Sequence, residues 1–277
     1  MPYPSRAARL WRTLGAVFVV LVFVPPLLLL VSGSFAEPGR PPPPTPRLVP
    51  DPLSTAGYEQ ALALGGLARA TVMSLVVAAV TVPLSVLVAS WAGFALAQVS
   101  RRVTAMVVGA SLLALMAPAT ALLLPRFVLF RNLGLTDTLV PLIAPALIGV
   151  SPLYVLIYYL AFRGLPADLY DTCRLADLTP LRTWWRFALP VVRPVTAGLT
   201  ALSFILTWSN FLDPLVYVYD RDLFTLPLAL RSLSILDPTD FPVFLAGAVL
   251  ATVPPVVVFL LAQRWFLQSD DPTGRLR

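Results

Sequence analysis

Six stretches of this chain, residues 13–36, 70–100, 103–125, 138–162, 194–212 and 241–263, contain no charged side chain. At about 1.5 Å per helical residue each is long enough to cross roughly 30 Å of hydrocarbon. An isolated apolar run in lipid must satisfy its own backbone hydrogen bonds, so each stretch is expected to be a helix rather than a strand. The fold class that follows is all-α, an integral membrane protein with six transmembrane helices. Prolines interrupt nearly every stretch (Pro25-Pro26, Pro83, Pro118, Pro141, Pro145, Pro152, Pro254-Pro255) and are expected to kink the helices there. The first stretch follows Arg6, Arg9 and Arg12 as a signal peptide would, but its apolar part exceeds the usual signal length, which favours a retained helix.

All twenty basic residues are arginine, and their placement orients the chain. With the amino terminus in the cytoplasm, thirteen arginines fall inside (Arg6, Arg9, Arg12, Arg101, Arg102, Arg163, Arg174, Arg182, Arg186, Arg193, Arg264, Arg275, Arg277) and seven outside. That excess predicts both termini on the cytoplasmic side. The organisation expected is a cytoplasmic start (1–12), a first span (13–36), an external proline-rich segment (37–69), a five-helix core (70–264) and a cytoplasmic tail (265–277). Scattered between apolar runs, the arginines read as topology signals and not as a nucleic-acid surface. None of the fourteen carboxylates lies inside a span, although Asp213 sits just beyond the fifth, whereas proton-coupled carriers place an ionisable group at mid-membrane. A chain without lysine has no Gly-rich lysine loop for nucleotide. With one cysteine and no histidine, no metal site, cofactor or catalytic residue is expected.

Residues 165–194, LPADLYDTCRLADLTPLRTWWRFALPVVRP, form a polar interruption on the cytoplasmic side of this topology. Pro166 suits a first helical position, Asp168 and Asp171 suit the positive end of a helix, and that helix is expected to run to about Ala176. Asp177-Leu178 would then turn. Thr179-Pro180 would cap and restart a second helix carrying Leu181, Trp184, Trp185 and Phe187 until Leu189-Pro190 stops it. Aromatics of this kind also collect at membrane interfaces, and the local residues leave both readings open.

The segment resembles the EAA loop of ABC-importer permease subunits, roughly LP-x-E-L-x-E-A-A-x-x-D-G-A followed, nine residues on, by I-x-LP-x-x-x-P. Leu165 and Pro166 match the opening LP, Asp171 the acidic position, Thr172 and Cys173 the small ones, and Phe187, Leu189, Pro190 and Pro194 the closing pattern. Ala176 replaces the usual Asp and Asp177 the usual Gly. Because Asp tolerates the left-handed conformation better than most residues, the turn is expected to survive. FILTWSNFLDPL (204–215), TLPLALRSL (225–233), LGLTDT (133–138) and ATVMSL (70–75) are similar to further segments of the carbohydrate-type, maltose-permease-like subfamily, so the resemblance covers most of the chain from about residue 65.

The resemblance implies a type I importer permease fold in a bacterial or archaeal plasma membrane. Its partners would be a second permease subunit, a dimer of ATP-binding subunits and an extracytoplasmic solute-binding protein. It also implies that the loop couples to the ATPase, with Asp171, Cys173, Leu175, Asp177, Leu178, Trp184, Phe187 and Pro190 as coupling residues and the Asp171, Leu175, Leu178, Trp184 and Phe187 surfaces as the contact. On the fifth span Ser203, Thr207 and Asn210 share a helical face with Ser209 beside them, a stripe that suits hydrogen bonding to a polyhydroxylated solute. Small polar residues also pack membrane helices together, and both uses remain open here. The expected function is transport of a sugar or related polar solute. A permease for a polyamine or phosphate ester is the nearest alternative, a secondary carrier a further one, and an intramembrane enzyme lacks any nucleophile-base pair.

Overall fold

The computed structural model describes residues 6–39, 48–63, 66–147, 151–236 and 240–267, with the side chains of 6–9, 234–236 and 264–267 left aside. Residues 40–47 and 64–65 of the external segment and residues 268–277 of the carboxyl-terminal tail thus lie outside the described residues. The chain divides into two compact units, residues 1–68 with 229–253, and residues 69–228 with 254–277.

In the first unit a long helix, α1 (Arg6–Ser34), continues through Pro25 and Pro26. In its span Leu10–Ser34, residues 10–29 are mostly apolar and exposed, as in a helix surrounded by lipid or by another subunit, and only its end is packed, with Ser34 buried. The short helix α2 (Ala56–Ala63) is tied to its end. Ser34 and Tyr58 share a hydroxyl hydrogen bond of 2.7 Å, and the Phe35 and Tyr58 rings lie 5.3 Å apart.

The second unit takes in most of α3 (Leu67–Gln98), then α4 (Arg101–Met116), α5 (Leu123–Asn132), α6 (Val140–Ile143) and α7 (Pro152–Arg163). It continues with α8 (Ala167–Leu175), α9 (Pro180–Thr183), a π-helical turn (Trp184–Ala188), α10 (Leu189–Val191), α11 (Arg193–Trp208) and α12 (Leu212–Tyr217). The helices α13 (Leu226–Leu236) and α14 (Phe241–Leu267) complete the chain. Among the described residues every regular element is helical. One core joins α3 (Ala89, Phe94), α7 (Tyr154, Tyr158, Phe162), the π turn (Trp184, Ala188) and α11 (Leu199). Gly93 of α3 lets that helix reach α7, because a Cβ there would stand 2.5 Å from Tyr158 Cβ and 2.8 Å from the Tyr159 backbone nitrogen. A second cluster gathers Val77, Phe130, Leu142, Tyr217 and Val218 around α12.

Among the described residues three helices, Leu10–Ser34, Leu67–Gln98 and Phe241–Gln263, are unbroken and long enough to cross a membrane, and they cover the first, second and sixth uncharged stretches. The third and fifth are not straight crossings. Helix α4 ends at Met116, and the chain turns by 87° into residues 119–132 because Pro118 removes a backbone donor and holds Ala117 extended. At Val192 the direction changes by 85° between Pro180–Val191 and α11. The fourth expected span, 138–162, is divided among α6, a 3₁₀ turn at Ala144–Ala146 and the 12-residue α7, with residues 148–150 outside the described set. Helix α7 begins where Ser151 accepts a hydrogen bond from the Leu153 N–H and Pro152 occupies the first turn. Among the described residues, three helices are thus long and apolar enough to cross a membrane, or five if each bent pair is one crossing, and the 12-residue α7 is a further, shorter apolar helix.

Candidate functional site

The local chemistry of residues 165–194 shapes a bent pair of short helices. Pro166 stands at the N-cap position of α8, so the helix begins at Ala167, one position after the expected start, and Asp168 sits in its first turn. The helix closes with two reverse hydrogen bonds, Asp177 N–H to the Arg174 carbonyl and Leu178 N–H to the Cys173 carbonyl, both 3.0 Å. This is the Schellman closure, and it requires a left-handed residue after the cap. Asp177 supplies it with φ +51°, so the turn expected of Asp in place of Gly is present. Leu178, Cys173 and Phe187 line one cleft of about 330 Å³ beside this turn. Asp177→Gly relieves the left-handed penalty of an L-residue and is expected to strengthen the turn by about 0.5–1 kcal/mol. The chain's single cysteine reports on it: buried Cys173 should react with a maleimide about threefold more slowly in Asp177→Gly and several-fold faster in Asp177→Val.

Thr179 then caps the second helix, its hydroxyl accepting from the Arg182 N–H at 3.4 Å, with Pro180 at the first helical position, as expected. Leu189-Pro190 does not stop that helix. The backbone widens into the π turn Trp184–Ala188, where the Leu189 N–H bonds back to the Trp184 carbonyl, and α10 carries on to Val191. Widening accommodates Pro190, which would otherwise clash with the carbonyl four residues earlier, so the interruption falls at Val192 instead.

The segment has two faces. One is packed inward. Trp184 is 4% exposed and stacks on Trp91 of α3 at 6.3 Å, and Cys173 is buried too. Tyr170 donates its hydroxyl to the Phe162 carbonyl at 2.7 Å and lies 6.3 Å from the Phe94 ring, and burial pushes its phenol above the ordinary range. Trp184, expected on the outer surface, is thus a core residue, because the π turn rotates it toward α3 while its neighbour Trp185 faces out. The other face exposes Leu175 (90%), Trp185 (60%), Leu181 (54%) and Phe187 (42%). Asp171 is exposed beside Arg174 at 3.4 Å, Asp177 is exposed, and Leu178 and Pro190 are half-buried. Sequence reasoning named neither Trp91 nor Tyr170, whose partners lie in distant parts of the chain.

Along α11, Ser203 is buried, Thr207 half-buried and Ser209 exposed, its hydroxyl returned to the Ile205 carbonyl at 2.7 Å. Asn210 is engaged: its Nδ2 donates to Asp213 Oδ2 at 2.9 Å, and its Oδ1 accepts from the Asp213 N–H at 3.3 Å. Asp213 Oδ1 in turn meets Arg126 of α5 at 3.5 Å, and the guanidinium lies over the Tyr217 ring at 5.7 Å. The LGLTDT turn holds the far end of α12. Asp137, at φ +60°, accepts backbone N–H bonds from Tyr219 and Asp220, both 2.8 Å, and these hold its carboxyl below the ordinary value of 3.8.

Long apolar helices, others broken at prolines, and a polar segment whose aromatics pack on α3 and α7 are features of a membrane-embedded protein. Residues 61–269 match the family described as binding-protein-dependent transport system inner membrane component. The chain is 32% identical over 262 residues, 92% of each sequence, to the arabinooligosaccharides transport system permease protein AraQ of Halalkalibacterium halodurans. It is 29% identical over 197 residues, 71% of each, to the lactose transport system permease protein LacG of Rhizobium radiobacter. To the trehalose transport system permease protein SugB of Mycobacterium tuberculosis it is 26% identical over 266 residues, 94% of each. Its fold matches, with a TM-score of 0.75 at 18% identity and over 96% of this chain and 100% of the other, a chain of a bacterial ABC transporter involved in the import of the acidic polysaccharide alginate. The chain belongs to the family of binding-protein-dependent inner-membrane transport components. It is a multi-pass membrane permease with the ABC importer fold.

Proposed function

We propose that this chain is one of two permease subunits of an ATP-driven importer for a sugar or a related polar solute, with ATP hydrolysis on a separate pair of subunits. An external binding protein delivers the solute, six helical crossings carry the chain through the membrane, and both termini lie in the cytoplasm. Relatives named for arabinooligosaccharides, lactose and trehalose support the solute class, and a 29% identical relative named for sn-glycerol 3-phosphate keeps a phosphate ester within it.

Residues 165–194 act as the coupling element. The observation that carries this reading is that Leu175, Leu181, Trp185 and Phe187 are exposed in a segment whose Trp184 and Tyr170 are anchored in the α3 and α7 core. Large apolar side chains exposed on a polar segment that lies outside the uncharged runs are what a docking surface offers a partner. The ATPase pushes on the exposed face, and the buried aromatics carry the displacement into the membrane helices as a rigid body. Asp171 and Asp177 border the contact, and Cys173, Leu178 and Pro190 shape it from beneath.

The test is co-purification. Leu175→Asp combined with Trp185→Asp is expected to lower recovery of the ATP-binding subunit with the solubilised permease by at least about tenfold while membrane insertion stays at the parent level. Undiminished recovery of the ATPase would remove the docking assignment.

A further inference from the structure

We propose that Arg126 and Asp213 are positioning residues that hold the Asn210 amide as a fixed donor and acceptor for neighbouring hydroxyls of the transported solute, which rests on reading the chain as a permease for a polyhydroxylated solute. Asn210 lies just beyond α11, next along the polar stripe from Ser203 and Thr207, and is half-buried. Asp213 grips both ends of its side chain. One Nδ2 hydrogen goes to the Asp213 carboxylate and one Oδ1 lone pair to the Asp213 N–H. Reversing the amide would set its carbonyl oxygen against a carboxylate and its NH₂ against an N–H, so the orientation is decided. Among the described residues, one amide hydrogen and one lone pair take no partner. A neighbouring donor and acceptor of fixed sense is the arrangement that pairs with two adjacent hydroxyls of a sugar.

Arg126 completes the relay. It contacts Asp213 Oδ1 at 3.5 Å, which leaves Oδ2 turned toward Asn210. The guanidinium rests on Tyr217, itself wedged between Phe127 and Phe130 at ring distances of 6.4 and 5.6 Å. Arg126 Nη2 is buried and makes no hydrogen bond among the described residues. A partly buried pair with one loose contact and an orphaned charged donor contributes little to stability, so its use lies in what it orients. The competing account is that Asn210 simply caps α12, in which case the bonds support the helix and nothing else.

Uptake into proteoliposomes by the complete importer, with its binding protein saturated, separates the two accounts. The probes are arabinotriose, lactose and trehalose, and then the mono-deoxy analogues of whichever sugar the parent transports. The parent is expected to favour the sugar over at least one analogue by about tenfold. Asp213→Asn and Arg126→Gln are expected to bring that preference within about twofold, and Arg126→Lys to restore it. A cap would lower uptake of sugar and analogue in proportion, leaving the ratio intact. An unchanged ratio in both variants, a parent without preference, or failure of both variants to assemble overturns the proposal. If Asp213→Asn alone fails to assemble, Arg126→Gln carries the test, since it leaves the Asn210 bonds in place. A parent that transports none of the three sugars defeats the solute-class reading itself, and this proposal with it.

Discussion

Replacing Gly93 with alanine is expected to destabilise the permease by about 2–4 kcal/mol, although alanine is the better helix former by about 1 kcal/mol. The added methyl would sit 2.5 Å from Tyr158 Cβ, 2.8 Å from the Tyr159 nitrogen and 3.0 Å from the Tyr158 carbonyl carbon. Two of those three atoms are backbone, so no side-chain rotation relieves the clash and α7 must move as a whole. Moving it opens the core shared by Phe94, Tyr158, Phe162 and Trp184, where interiors pack too densely to absorb the gap. In thermal unfolding of the detergent-solubilised chain the midpoint should fall by roughly 5–10 °C. Gly109 of α4 provides the control. Nothing lies within 4 Å of a Cβ built there, so Gly109→Ala should be neutral or slightly stabilising. A Gly93→Ala midpoint equal to that of Gly109→Ala would refute the close α3–α7 contact.

Trp184→Ala carries the second large effect, one on energy transfer as well as stability. Removing a nearly buried tryptophan from this core should weaken the anchorage of the coupling segment by about 3–5 kcal/mol. Trp184 stacks on Trp91 and tilts against Trp185 at 5.6 Å, so the variant loses the bridge between α3 and the exposed face. In proteoliposomes the expected outcome is ATP hydrolysis that continues while solute uptake per ATP drops at least about tenfold, with Cys173 more open to thiol reagents. Trp184→Phe should retain most coupling, because the indole nitrogen is buried without a partner among the described residues and its removal forfeits no hydrogen bond. Parent-level uptake per ATP in Trp184→Ala would show that the displacement travels by another route.

The features legible in the sequence are those decided within a few residues of one another. The apolar runs that became α1, α3 and α14 could be read directly, since twenty or more uncharged residues in lipid have only the helix to satisfy their backbone. The Thr179-Pro180 start and the left-handed turn at Asp177 were equally local, each set by side chains and φ preferences inside one turn. Composition misled where a break falls inside an uncharged run. The bend at Ala117-Pro118 and the division of residues 138–162 leave hydropathy unchanged, because a helix and a break can be equally apolar. The Asn210 stripe was visible as a period, but its network was not, since Arg126 lies 87 residues before Asp213 in the chain.

By itself the sequence determined that this is a membrane-embedded helical chain whose polar segment at 165–194 folds as two capped helices, because hydrophobic length and capping chemistry act over one to a few turns. Only the tertiary structure decided that Trp184 faces Trp91 rather than the exterior, and that Asn210 is held by Asp213 and Arg126. Both outcomes depend on which distant helix arrives at that point. A π turn widened around Pro190 and an 87° bend at Pro118 set those arrivals, and neither can be read from the side chains that finally meet.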